Sequence, residues 1–96
     1  MSVPETSAVT SRSIDRRKVA IIGAGSWGTA VARVIAENNP QLKVVMWARE
    51  KEVVKSINEK HVNSMFLSQV TLPSNILAVT SQREAVQGSY VVLIAT

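Results

Sequence analysis

Three of the four glycines of this 96-residue chain fall within six consecutive positions, in the run GAGSWG at 23–28. The preceding run VAIIG (19–23) is apolar, which is typical of a parallel strand buried on both faces. Residues 28–38 place Val31, Val34 and Ile35 on one side and polar side chains on the other, as an amphipathic helix does. Glycines spaced as G-x-G-x-x-G between a strand and a helix are typical of a phosphate-binding turn for a dinucleotide.

Each glycine of the motif has a different predicted task. Gly23 lets the chain turn sharply off the strand, Gly25 lets the backbone approach a pyrophosphate, and Gly28 lets the helix pack closely on the strand. The free N–H groups of the first helical turn then bind the phosphates, and Ser26 offers a hydroxyl donor. A turn without a ligand and the glycine-rich turn of a methyltransferase that uses S-adenosylmethionine are the alternatives, and the spacing favours a dinucleotide.

The rest of the sequence alternates apolar runs with amphipathic ones. Strands are predicted at 42–48, 76–80 and 90–96, helices at 50–60 and 82–87, and a polar loop at 61–74. This alternation predicts an α/β fold with a doubly wound, Rossmann-type parallel sheet and strand order 3-2-1-4. The fourth strand would lie bare at an edge, so we expect the fold to be truncated there and the chain to be part of a longer protein.

The residues after the second strand bear on which dinucleotide is bound. An acidic residue about 20 positions past the glycines normally accepts a hydrogen bond from the ribose 2′-hydroxyl. That zone holds Trp47, Ala48 and Arg49, with Glu50 just beyond it. Because an arginine pairs with a 2′-phosphate or lies on adenine, Arg49 favours NADP or both cofactors. Glu50 is an acidic residue of the kind that binds the ribose of NAD, so NAD stays an alternative. For Arg49, the alternative role is a surface ion pair.

Composition excludes several classes of protein. The formal net charge is +4, but the basic residues are scattered and only four residues are aromatic, so we expect no nucleic-acid partner. No apolar run approaches the roughly 20 residues that span a bilayer, so we expect no membrane partner. The sequence has no cysteine, which excludes disulfides and thiolate metal sites.

The two ends of the sequence differ in character. Residues 1–17 are rich in Ser, Thr and Arg, and we predict a disordered basic tail there, followed by a partial dinucleotide-binding domain at 18–96. The tail loosely resembles an organellar transit peptide. We expect a cytoplasmic protein, with a plastid or another organelle as the alternative.

Several stretches together resemble one family. GAGSWGTA, VVMWAR, NEKHVNSMFL with VTLPSNI, and VTSQREAVQGSYVVLIAT are similar to the N-terminal region of NAD(P)-dependent glycerol-3-phosphate dehydrogenases over residues 18–96. The resemblance implies that Ser26 and Trp27 contact the cofactor and that Arg49 lies at its adenosine end. Phe66 stands where the family usually has a tyrosine, so its ring packing carries over and any hydroxyl contact does not.

The resemblance also implies a reaction, which is hydride transfer that reduces dihydroxyacetone phosphate to sn-glycerol 3-phosphate. The family's catalytic lysines and substrate-phosphate groups correspond to sequence beyond Thr96, so we predict no catalytic residue and no metal site here, an inactive chain on its own, and a homodimer when full-length. His61 is interpreted as a hydrogen-bonding residue that fixes its loop, and Trp47 as core. The alternatives are the N-terminal part of another NAD(P)-dependent dehydrogenase, of the 2-hydroxyacid or ketopantoate type, and a non-catalytic nucleotide-binding module that dimerises through its fourth strand.

Overall fold

A computed structural model describes residues 14–95 of the chain. Within them, four strands form one parallel sheet in the order β3-β2-β1-β4, which confirms the predicted α/β, Rossmann-type topology. Helices connect the strands along the chain. The elements are β1 (Asp15–Ile22), α1 (Ser26–Asn38), β2 (Lys43–Trp47), α2 (Lys51–Lys60), β3 (Ile76–Val79), α3 (Gln82–Val86) and β4 (Ser89–Ile94).

The core lies on the two faces of β1 and β2, the central strands of the sheet. Ile21 and Met46 are fully buried in a large cluster that includes Val53 and Ile57 of α2. A smaller cluster joins Val45, Val79 and Ala85, the last of which belongs to α3. Strands buried on both faces are continuous in apolar residues, which is why the short runs in this sequence predict a parallel sheet. Each fully buried Val, Ile or Met side chain contributes about 2 kcal/mol to folding.

Helix α1 buries a different face from the one its larger residues predict. Its buried residues are small ones, Gly28, Thr29, Ala32 and Ala36, whereas Val34 is 57% exposed. The interpretation of Val34 as a buried residue is therefore wrong. Small side chains let the helix axis lie close to β1 and β2, and this proximity brings the start of α1 up against the end of β1.

Strand β1 begins at Asp15, within the segment predicted to be a disordered tail. The Asp15 N–H donates to the Gly88 carbonyl (2.8 Å), which joins the strand to the residue before β4. The Asp15 carboxylate accepts a hydrogen bond from the Arg17 N–H (2.9 Å) and lies 3.4 Å from Lys43 Nζ on β2. These contacts make 15–17 part of the sheet, and the rest of the predicted tail, residues 1–13, lies outside the described residues.

The Asp15 contacts predict a pH-dependent contribution to stability. The Arg17 backbone N–H, together with Lys43, holds the pKa of the Asp15 carboxyl below its ordinary value. A carboxyl whose pKa is lowered by folding stabilises the protein above its unfolded pKa of about 3.9 and loses that contribution as the pH falls through the folded pKa. We expect Asp15→Asn to lower the melting temperature slightly at neutral pH, measured by thermal unfolding between pH 7 and about 2. A deficit that stayed constant across this range would contradict the assignment.

Strand β4 lies at the edge of the sheet and is mostly exposed. Tyr90, Val92 and Ile94 are 58%, 43% and 74% exposed, respectively. The prediction that this strand lies at an edge with its apolar residues only partly covered is confirmed. In the described part of the chain, no helix is both long enough and apolar enough to cross a bilayer.

Candidate dinucleotide site

The turn between β1 and α1 is folded so tightly that two of its glycines admit no side chain. Gly23 has a φ of +129°, and a Cβ there would collide with the Ala95 carbonyl oxygen. A Cβ on Gly28 would lie 2.5 Å from the Gly23 carbonyl oxygen and 3.3 Å from the Ala95 Cβ. Real Cβ atoms do not approach backbone oxygens this closely. The ends of β1 and β4 and the first turn of α1 therefore meet in direct backbone contact.

Gly25 differs from the other two glycines in its surroundings. Its φ of −74° and ψ of −170° are accessible to any residue, so the backbone does not require a glycine there. No atom outside its immediate neighbours lies within 4 Å of the position of a Cβ. The space beside Gly25 is open, and it belongs to a cleft that a ligand can enter.

Unused hydrogen-bond donors lie at the start of α1. The first main-chain bond of the helix runs from the Thr29 N–H to the Gly25 carbonyl (2.9 Å). Within residues 14–95, the N–H groups of Ser26, Trp27 and Gly28 have no hydrogen-bond acceptor. Free N–H groups at the positive end of a helix dipole are suited to bind an anion.

The cleft at these N–H groups has a volume of about 370 Å³. It lies at the carboxyl ends of the strands, beside the point where the strand order reverses between β1 and β4, which is where open α/β sheets bind ligands. All seven sequence-predicted cofactor residues line it. The lining residues are Gly23, Ala24, Gly25, Ser26, Trp27, Gly28, Trp47, Arg49, Glu50, Phe66 and Ala95.

Arg49 and Glu50 form the side of the cleft that follows β2. Arg49 is exposed, and in the described residues no carboxylate lies within ion-pair distance of its guanidinium. Among the described residues, Arg49 therefore does not form the surface ion pair that was the alternative interpretation. Glu50 precedes α2, and its carbonyl accepts the N–H groups of Val53 and Val54 (3.1 and 3.2 Å). Both residues line the cleft.

Two aromatic residues flank the turn, and Ser26 connects the turn to the main chain of one of them, Phe66. Trp27 is 69% exposed and Phe66 is 37% exposed. Ser26 Oγ donates to the Phe66 carbonyl (2.7 Å), so its hydroxyl proton is used within the protein. Ser26 was expected from the sequence to donate this proton to a phosphate, and the structure gives it a different acceptor. Its main-chain N–H remains free.

Asn63 is a residue of this site that the sequence did not single out. It is fully buried, and its Nδ2 donates to the Ala24 carbonyl and to Thr29 Oγ1, each at 2.8 Å. Its Oδ1 accepts the Phe66 N–H at 3.1 Å. In the sequence it stood in a polar loop, where most asparagines are exposed, and in the stretch NEKHVNSMFL that carries the family resemblance, without any role of its own.

Two further residues differ in detail from their predicted roles. His61 fixes its loop through the main chain. Its N–H donates to the Ile57 carbonyl (3.0 Å), and its carbonyl accepts the Leu72 N–H (2.6 Å). Its φ is +58°. Its buried Nδ1 has no partner in the described residues, so the predicted side-chain hydrogen bond is not observed. Trp47 packs at the edge of the smaller core cluster and also lines the cleft. Its Nε1–H donates to the Thr80 carbonyl (2.8 Å).

Metal ligands do not gather at the cleft. Among residues 14–95, no group of three or more His, Cys, Asp or Glu side chains is placed to hold a metal ion. The chemistry that the cleft offers is therefore that of backbone N–H groups, one guanidinium, one carboxylate and aromatic rings.

Residues 18–96, which carry this cleft, match a known family over their whole length. The matching family model is that of the NAD-dependent glycerol-3-phosphate dehydrogenase N-terminus. The chain belongs to this family. The resemblance seen in the sequence is confirmed, as is the cofactor class, NAD or NADP, for the family.

Individual relatives agree with the family assignment. A glycerol-3-phosphate dehydrogenase (NAD(P)+) of Listeria monocytogenes is 46% identical over 80 residues, which cover 83% of this chain and 23% of the relative. The crystal structure of glycerol-3-phosphate dehydrogenase from Coxiella burnetii matches with 34% identity and a TM-score of 0.72, over 82% of this chain and 24% of that one. The Saccharomyces cerevisiae enzyme matches with 33% identity and a TM-score of 0.76, over 84% and 26%. This chain spans about a quarter of the length of these relatives.

Proposed function

We propose that the cleft binds NAD or NADP with the pyrophosphate over Gly25, at the N–H groups of Ser26, Trp27 and Gly28. The observation that carries this proposal is the open space beside Gly25 together with those unused donors. Phosphate groups carry negative charge and several acceptor oxygens, which match free N–H groups at a helix N-terminus. The tight packing of Gly23 and Gly28 holds the donors in place without needing the ligand.

With the pyrophosphate over Gly25, the residues that line the rest of the cleft are assigned to the other parts of the dinucleotide. Arg49 and Glu50, which follow β2, face the adenosine ribose. Trp27 and Phe66 offer aromatic surface beside the turn and exclude water from the bound phosphates. Bound in this way, the nicotinamide supplies or accepts the hydride, and the chain's residues bind and orient it.

Arg49 gives this proposal a test of cofactor choice. We expect Arg49→Ala to weaken NADPH binding about tenfold, because a charge-assisted contact to the 2′-phosphate is lost. NADH, which lacks that phosphate, should lose about twofold or less. Titration calorimetry with both cofactors measures the difference, and Lys51→Ala, an exposed cation at the start of α2, is the matched control. Equal losses for NADH and NADPH would rule out a 2′-phosphate contact.

For the whole protein, we propose interconversion of dihydroxyacetone phosphate and sn-glycerol 3-phosphate. The support is the family membership of residues 18–96, which supply the cofactor half of such a reaction. The 96-residue chain by itself is expected to bind cofactor and to turn over nothing. We further propose that the whole protein is a homodimer in the cytoplasm, with an organelle as the alternative compartment.

The experiment has a binding part and a turnover part. Trp27 and Trp47 both line the cleft, so titration of the chain with NADPH or NADH should quench tryptophan fluorescence to a saturable limit. The whole protein should then oxidise NADPH or NADH with dihydroxyacetone phosphate and not with ketopantoate or 2-oxo acids. Quenching without any turnover by the whole protein would instead favour a non-catalytic nucleotide-binding module, and absence of quenching would contradict the cofactor site.

A further inference from the structure

The carbonyl of Ala24, which precedes the N-cap residue Gly25, is held by two side chains at the start of α1. The first N–H groups of a helix have no partner within the helix, and the Gly28 N–H is one of them, because the first main-chain bond of α1 runs from the Thr29 N–H to the Gly25 carbonyl. The Ala24 carbonyl accepts hydrogen bonds from Asn63 Nδ2 at 2.8 Å and, more weakly, from Thr29 Oγ1 at 3.4 Å. The Gly28 N–H is left without an acceptor among residues 14–95.

We infer that Asn63 is a positioning residue for the phosphate-binding turn: it holds the Ala24 carbonyl before the free N–H groups and the Thr29 hydroxyl after them, and thereby fixes those N–H groups in the orientation that an anionic ligand needs. This inference rests on the proposed cofactor site. It assigns no contact between Asn63 and the ligand, because Asn63 is fully buried behind the turn.

The geometry fixes the orientation of the Asn63 amide. Both hydrogens of Nδ2 are used, one by Ala24 and one by Thr29, and Oδ1 accepts the Phe66 N–H. Exchange of the amide oxygen and nitrogen would place two carbonyl oxygens against each other and two N–H donors against each other. A buried amide with this set of partners has one favourable arrangement.

The same contacts connect the turn to the loop after α2. The Phe66 N–H is held by Asn63, and the Phe66 carbonyl accepts Ser26 Oγ–H. The Leu67 N–H donates to the Asn63 carbonyl (2.9 Å), which closes the loop into a compact turn. Asn63 therefore holds the main chain of Phe66 beside the cleft as well as the Ala24 carbonyl.

The test compares two probes in the full chain by amide-resolved NMR: inorganic diphosphate, which needs the free N–H groups, and adenosine, which does not. We expect Asn63→Ala to raise the dissociation constant for diphosphate about tenfold, equivalent to about 1.4 kcal/mol, and that for adenosine by less than about twofold. The matched control is Asn75→Ala, since Asn75 also donates to main-chain carbonyls, those of Ala36, Asn39 and Leu42, but away from the cleft. This control should leave both constants unchanged.

The outcomes separate this inference from the proposed function. Wild-type diphosphate affinity in a folded Asn63→Ala chain, or equal losses for both probes, would overturn the positioning role. If Asn63→Ala does not fold, the test uses Thr29→Val and Thr29→Ser. Thr29→Val removes the hydroxyl that accepts a hydrogen bond from the Asn63 amide, and Thr29→Ser keeps this hydroxyl. A loss of about threefold for diphosphate in Thr29→Val, restored in Thr29→Ser, supports the role, and wild-type affinity in Thr29→Val overturns it. Failure of the wild-type chain to bind diphosphate and NADPH would overturn the cofactor site itself.

Discussion

Gly25→Ala should fold as well as the wild type and bind NADPH or NADH about a hundredfold more weakly. Alanine accepts the φ and ψ of this residue, and its Cβ would meet no protein atom within 4 Å. Replacing glycine where the backbone is unstrained stabilises a protein by about 0.4 to 1 kcal/mol, because the unfolded chain loses freedom. The methyl group would, however, fill the space through which the pyrophosphate approaches the N–H groups.

Thermal unfolding and titration calorimetry on the same preparation measure both effects. The expected combination is a melting temperature equal to or above that of the wild type, together with the loss of cofactor affinity. Adenosine, which has no pyrophosphate, serves as the control ligand and should bind about as well as it does to the wild type. Unchanged cofactor affinity in Gly25→Ala would place the phosphates elsewhere.

Gly28→Ala should have the opposite signature and destabilise the fold. Its Cβ would lie 2.5 Å from the Gly23 carbonyl oxygen, so α1 has to move away from the end of β1. Overpacking at a buried position costs about 1 to 3 kcal/mol. In a domain of this size each kcal/mol lowers the melting temperature by about 4 to 8 °C. Cofactor affinity should fall as well, because the N–H donors move with the helix.

The control for this variant lies on the same helix. Val34 is 57% exposed, and Val34→Ala should change the melting temperature little. The two glycine variants thus separate a ligand contact from a packing contact at positions three residues apart. A Gly28→Ala chain with the stability of the wild type would mean that the helix does not lie as close to the strand as described.

Local patterns were sufficient to predict the sheet and the position of the cleft. The buried runs at β1 and β2 and the glycine turn between a strand and a helix are features of a few adjacent residues, and crossover handedness then determines the strand order. Six of the seven predicted cofactor residues meet for the same reason, since they follow β1 or β2 and the carboxyl ends of parallel strands share one edge of the sheet, whereas Phe66 reaches the cleft from the loop after α2.

Other features depend on contacts between distant parts of the chain, and local patterns did not predict them. Asn63 acts on Ala24, which is 39 residues away, and nothing in the composition of its loop distinguishes it from an exposed asparagine. The buried face of α1 consists of small residues because the helix packs closely on the sheet, whereas hydrophobicity alone favoured its valines. Strand β1 extends to Asp15 because of contacts with Gly88 and Lys43, and the polar sequence there had indicated a tail.

The central claim is that the free N–H groups at the start of α1 bind the phosphates of a nicotinamide dinucleotide. The most direct measurement follows the backbone amide resonances of the chain by NMR during titration with NADPH or NADH. The claim predicts that the amides of Gly25, Ser26, Trp27 and Gly28 shift most and saturate together, with Arg49 and Phe66 responding at the same ligand concentration. Saturable shifts confined to other residues, or no shifts at millimolar cofactor, would contradict it.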